Sequence, residues 1–249
     1  LTIRHLGGFV VSLGMRLLPL RSRFRVAMML AALSTPLLRR TRIVRERLIM
    51  RVETPREIVT YHVLDVLTRR GIAFDPLFRT IDAQLIDDGL ALGRGVLLVG
   101  PHTMLLTLFH RRLNDRGIDF AVVSPDARLT AGTAVKTPVI EPSFTFLLDI
   151  REALRGNRVV CALIDRDVAI HKATFEVMTA RGPVAVSNAL LRLAVPIEAA
   201  IVFTAARIID GEIVITHSAP SASGARSPEA VTEAFVAFLT KHVADVAAE

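Results

Sequence analysis

Residues 95–109, Gly-Val-Leu-Leu-Val-Gly-Pro-His-Thr-Met-Leu-Leu-Thr-Leu-Phe, restrict the fold more than any other stretch of the chain. Val96, Leu97, Leu98 and Val99 are an unbroken apolar run with none of the polar alternation of a half-exposed strand, which predicts a central parallel strand covered on both faces. Gly100-Pro101 ends its ladder, because proline has no amide hydrogen to donate. Met104, Leu105, Leu108, Phe109 and Leu113 then recur at helical spacing, with Thr103 as the expected N-cap and Gly117 as the expected stop. His102 is thereby set at the carboxyl end of a strand and the amino end of a helix, where open α/β sheets hold their ligands.

The same unit recurs along the chain. Ile118 to Val123 reads as a strand with a turn at Ser124-Pro-Asp126, and a polar loop follows from Arg128 to Lys136. Ser143 is expected to cap a helix carrying Phe144, Leu147, Leu148 and Leu154, which stops at Gly156-Asn157. Arg158 to Ile164 is a second buried strand, and it delivers Asp165-Arg166-Asp167. Thr174 to Met178 reads as a short strand, Arg181-Gly182-Pro183 as the opening of a helix through Leu193, and Pro196 to Phe203 as a further buried strand. Asp210-Gly211 marks a two-residue hairpin within 207–215, and Pro228 to about Ala247 a closing helix. Upstream, Thr54-Pro55-Arg56-Glu57 is a capping box with proline at the first helical position, so a helix is expected from there to about Arg70, stopped by Gly71. Ile81 to Leu92 reads as another helix, feeding the central strand through Gly93-Arg94-Gly95. Alternating strands and helices with a late hairpin imply an α/β fold, a mixed, mostly parallel central sheet flanked by helices.

Charge separates the front of the chain from the rest. Between Arg4 and Arg70 there are 14 arginines against four acids, a surplus of ten that exceeds the +7 of the whole 249-residue chain. Stacking aromatics are scarce there and no nucleic-acid motif is present, so nucleic acid is not the expected partner. The arginines are interleaved with leucine, methionine and valine, which suits an anionic membrane surface. The apolar segments Gly7 to Met15 and Val26 to Ser34 fall short of the ~20 residues that span a bilayer. Residues 1–50 are therefore expected to be an arginine-rich helical, membrane-associating extension, peripheral or shallowly inserted, and 51–249 the α/β domain. The one cysteine, Cys161, lies in an apolar run and is expected to be a buried hydrophobe.

The Gly-rich entry to the strand ending in His102, the Leu154-Arg-Gly-Asn157 turn before the strand ending at Asp165, Arg181-Gly182-Pro183 and Val195-Pro196 resemble, in order and spacing, the bacterial lipid A late acyltransferases. These form the lauroyl/myristoyl branch of the lysophospholipid acyltransferase superfamily. The resemblance spans about Arg42 to Ala219. It implies transfer of a fatty acyl chain from an acyl thioester, on acyl carrier protein or coenzyme A, to a hydroxyl of a lipid or glycolipid at the cytoplasmic face of the inner membrane, with no bound cofactor. His102 takes the place of the general base, since a hydroxyl far from its pKa needs one within hydrogen-bond reach. The family acid five positions later, which would orient the imidazole, is here Thr107. Thr107 can orient the ring without charge, an acid from Asp165, Asp167, Asp126 or Glu141 can fold in, or the chain is a non-catalytic or altered relative that binds lipid or acyl thioester. Arg128, Arg166 and Arg181, with Asp165, Asp167 and Gly182, are the candidate substrate-binding residues, arginine being suited to a phosphate-bearing group.

Two other patterns carry less. His110-Arg-Arg-Leu-Asn-Asp115 matches a His-x4-acid spacing, but inside a helix positions five apart point in different directions. Asp165-Arg166-Asp167 with His171 lacks the further carboxylates of a metal cage, so no metal is expected and a metal-dependent phosphoesterase is the weaker reading.

Overall fold

The computed structural model describes residues 15–41, 44, 53–69, 72, 78–124, 138–165, 175–179, 182–221 and 227–244. Its strands are β1 (Phe78–Ile81), β2 (Val96–Gly100), β3 (Phe120–Val123), β4 (Val139–Ile140), β5 (Val159–Leu163), β6 (Phe175–Thr179), β7 (Gly182–Val186), β8 (Ala200–Ile209) and β9 (Glu212–Ser218). Its helices are α1 (Leu20–Leu38), α2 (Pro55–Arg69), α3 (Gln84–Ala91), α4 (Leu105–Asp115), α5 (Phe146–Arg155), α6 (Ala189–Ala194) and α7 (Pro228–Ala244). Seven strands form one sheet in the order β1-β9-β8-β2-β5-β3-β4, while β6 and β7 pair separately and antiparallel. The pairs β2–β5, β2–β8, β3–β5 and β3–β4 are parallel, so the sheet is mixed but mostly parallel, as the apolar strands require.

Two compact units divide the chain: 1–49, 53–79 and 207–214 in the first, 50–52, 80–206 and 215–249 in the second. In the first, α1 packs on α2, with Ala31, Val44, Ile58 and Val59 buried together. The capping box forms as written in the sequence. Thr54 N–H donates to Glu57 Oε2 at 2.8 Å and Glu57 N–H donates to Thr54 Oγ1 at 3.0 Å. Glu57 is itself buried, and its other oxygen accepts from Arg207 Nε at 2.7 Å. Among the described residues no helix is long and apolar enough to cross a membrane. Segment 1–14 and the Gly71 stop lie outside the described residues.

In the second unit every residue of β2 is buried, and the strand's alternation sends its side chains to two different layers. Leu97 and Val99 join Val160, Ala162, Ile201 and Phe203 of the neighbouring strands and the buried sides of α5, α6 and α7. The opposite face meets α3 and α4. A methyl group on Gly89 would lie 2.7 Å from Val96 Cγ2, and one on Gly100 would lie 3.2 Å from Leu106 Cδ1. Each large aliphatic side chain so buried contributes about 1.5–3 kcal/mol. Cys161 is part of this interior, and burial pushes its thiol pKa up.

Local signals set most of the turns. Helix α4 ends in a Schellman motif, with Gly117 at φ 67°, Gly117 N–H bonded to Asn114 O and Ile118 N–H to Leu113 O. Helix α5 ends the same way on Asn157 at φ 57°. Asp210 and Gly211 both have positive φ, 51° and 76°, as a two-residue hairpin loop demands.

Five expectations are corrected. Arg181-Gly182-Pro183 does not open a helix: Gly182 to Val186 is strand β7, and only Ala189 to Ala194 is helical. Phe78 to Ile81 is a strand, so the helix before β2 begins at Gln84. The last parallel strand starts at Ala200 rather than Pro196, because residues 195–198 form a turn closed by Glu198 in left-handed geometry. Helix α5 buries Phe146, Ile150, Ala153 and Leu154, leaving Phe144 before it and Leu147 and Leu148 within it exposed. Thr103 does not cap α4: Met104 occupies the cap position with no side-chain hydrogen bond.

Candidate functional site

His102 follows the carboxyl end of β2, and the backbone around it is turned by local bonds. Gly100 O still accepts from Ile164 N–H at 3.3 Å, Pro101 has no hydrogen to continue the ladder, and Thr103 N–H closes back on Pro101 O at 2.8 Å. That three-residue turn has His102 at its centre. The side chain is 15% exposed, enough to meet a substrate from solvent while most of the ring is walled in.

The neighbouring parallel strand brings the second group. Gly100 pairs with Leu163 in the β2–β5 register, so two residues further on His102 stands beside Asp165. Asp165 Oδ2 accepts the His102 backbone N–H at 2.8 Å, and Oδ1 lies 3.8 Å from His102 Nδ1. The carboxylate side chain has no exposed surface. Burying such a group is costly unless its oxygens are bonded, and the His102 amide supplies one bond. Ile164, just before it, is locked on both sides, donating to Gly100 O and accepting from Ser187 N–H at 2.9 Å.

The position of the pair is topological as well as local. From β2 the chain crosses past β5 to reach β3, whereas after β5 it returns across β2 to reach β8. Adjacent strands whose connections leave in opposite directions open a crevice at their carboxyl ends, the usual ligand position of such sheets.

Thr107 bonds within its own helix region rather than to His102. Its hydroxyl donates to Met104 O at 2.6 Å, a bond to its own helix, so its proton is not directed at the imidazole. Gly182 sits at the end of the β6–β7 hairpin, paired with Thr179 and accepting from the Thr179 hydroxyl at 2.8 Å. Arg128, Arg166, Asp167 and Arg181 lie outside the described residues, as do Asp126 and His171. Glu141 is exposed. His110 lies within α4 with its ring on Phe120, and burial holds its pKa down at about 4. Among the described residues no three side chains of His, Cys, Asp or Glu are grouped as metal ligands would be.

No local pattern distinguishes Asp165 from Asp126, Glu141 and Asp167 as the acid beside His102. The missing signal was pairing: His102 and Asp165 each follow a continuous apolar strand, and they meet only if those strands are neighbours in register. Two buried hydroxyls that follow strands, Ser124 after β3 of the main sheet and Ser187 after β7 of the separate two-stranded sheet, are likewise not marked by any local sequence pattern.

No protein-family model matches the chain, and no curated protein matches it significantly.

Proposed function

We propose that the chain is a membrane-associated O-acyltransferase that moves a fatty acyl group from an acyl thioester to a hydroxyl of a lipid or glycolipid, with His102 as general base. The observation that carries this reading is the placement of a partly exposed imidazole at the carboxyl edge of two adjacent parallel strands, beside a buried carboxylate. A neutral imidazole there can take the hydroxyl proton as oxygen attacks the thioester carbonyl. The order of motifs shared with the lipid A late acyltransferases supports the substrate class. Acyl carrier protein or coenzyme A would present the donor, and the reaction needs no bound cofactor.

The arginine-rich front of the chain supports a membrane-facing role at the cytoplasmic face of the inner membrane. Leu17, Leu20, Met29, Leu33 and Leu37 are exposed along α1 and the turn before it, and residues 15–41 contain six arginines and no acid. Apolar side chains interleaved with arginine lie favourably in the headgroup region of anionic lipid.

The test is thiol release from lauroyl-coenzyme A and lauroyl-acyl carrier protein, with vesicles of bacterial membrane lipid as acceptor, comparing wild type with His102→Ala. Release that depends on the lipid and disappears in the variant is the expected result. Equal inertness of both proteins, with thioester or lipid still bound, would favour the alternative that Thr107 motivates, a relative that binds these ligands without turnover.

A further inference from the structure

We infer that Asp165 is the positioning residue for His102, supplying from the neighbouring strand the acid that Thr107 does not provide. The inference rests on the reading of His102 as the base. The β2–β5 register carries the two residues to the same level beyond the paired ends Gly100 and Leu163. Of the two oxygens of the Asp165 carboxylate, one accepts from the His102 main-chain N–H at 2.8 Å and the other lies 3.8 Å from Nδ1 of the same residue. The first contact fixes where the loop stands. The second, once shortened to a hydrogen bond, would set which way the ring faces and which nitrogen carries the proton, since a carboxylate favours hydrogen on the nitrogen nearest to it. A separation of 3.8 Å is longer than a hydrogen bond, and such bonds are often long without substrate and shorten in the reacting complex.

With the proton on Nδ1, Nε2 is the basic nitrogen. The acceptor hydroxyl gives its proton to Nε2 as its oxygen bonds to the thioester carbonyl carbon. Collapse of the tetrahedral intermediate breaks the C–S bond, and the thiolate leaves and takes the proton back from Nε2 as thiol. Asp165 remains ionised throughout and offsets the positive charge of the imidazolium. The arrangement differs from an acid one helical turn away because it ties two strands together. It therefore depends on sheet register rather than on helix geometry.

Asp165→Asn separates positioning from mere anchoring. The asparagine carbonyl can keep the bond to the His102 amide, which leaves its NH2 group facing Nδ1, where it donates and drives the proton to Nε2. We expect the variant to fold like wild type by circular dichroism. Thiol release from lauroyl-coenzyme A in the presence of membrane lipid vesicles should fall ~10³–10⁴-fold in kcat, with KM changed little. Nitrogen-15 histidine spectra should show the neutral His102 proton on Nδ1 in wild type and on Nε2 in the variant. A variant that keeps wild-type kcat, or a wild-type His102 already protonated on Nε2, would overturn the inference. The spectrum of the wild-type protein decides the matter even where the variant does not fold. It also separates the two claims, for absent turnover with an Nδ1 proton sinks the transferase reading and leaves Asp165 as the orienting group.

Discussion

Gly100 is the residue on which the candidate site hinges mechanically, and Gly100→Ala tests that. A Cβ at this position would lie 2.3 Å from the backbone oxygen of Thr204, 3.1 Å from Thr204 Cγ2 and 3.2 Å from Leu106 Cδ1. Real Cβ atoms essentially never come within 3.0 Å of another heavy atom, so at least 0.7 Å must be opened between β2 and β8. The obstructing atom is backbone, not the far end of a flexible side chain. Overpacking of this kind costs about 1–3 kcal/mol. For a chain of this length that corresponds to a fall in Tm of about 2–12 °C, measurable by differential scanning calorimetry. His102 is two residues beyond, and a ~1 Å misplacement of a reacting group is enough to lose ~10²-fold in rate, so thiol release should drop ~10–100-fold in the folded variant. Gly117→Ala provides the control: Gly117 has φ 67° and nothing within 4 Å of its Cβ position, so it should cost about 1 kcal/mol of conformational strain and leave turnover alone. A Gly100→Ala protein with the Tm and turnover of wild type would refute the claim that close approach fixes this residue.

Glu57→Ala should destabilise the first unit by about 3–5 kcal/mol in urea unfolding, because it takes a buried carboxylate away from Arg207 and opens the capping box. Glu57→Gln keeps an acceptor for Thr54 N–H and should cost less, and equal small losses in both would contradict the reading. His217 is buried against Phe109, and its pKa is lowered to about 4, chiefly by burial, with Arg116 lowering and Asp82 raising it. The unfolded chain then binds the extra proton between pH 6.5 and about 4, so stability is full above pH 6.5 and declines as pH falls through that window. The loss from this residue amounts to about 3 kcal/mol, and His217→Leu should flatten that part of the stability profile. An unchanged slope in the variant would assign the acid sensitivity elsewhere.

Elements closed by neighbours in sequence were legible in advance. The capping box at Thr54 and Glu57, the glycine stop after α4 and the Asp210-Gly211 hairpin each satisfy their backbone groups within a few residues, so composition at those positions is sufficient information. The buried strands β2 and β5 were legible for a related reason, since continuous apolar runs suit a strand covered on both faces. Elements whose identity depends on a partner were misread. Gly182 to Val186 is a strand because β6 pairs with it, and Phe78 to Ile81 is a strand at the sheet edge; neither partner is visible from the local pattern.

The candidate site divides along the same line. The sequence alone determined that a histidine would emerge at the carboxyl end of a buried strand, because apolar continuity, a Gly-Pro break and helical spacing are all written within residues 95–109. It also determined that an aspartate would emerge from a second such strand. Only the tertiary structure decided that β5 lies beside β2, in the register that brings Asp165 to His102, while Thr107 turns to its own helix. The physical reason is that strand order and register are settled by packing of the whole sheet against its helices, and the contact between residues 63 positions apart is a product of that packing.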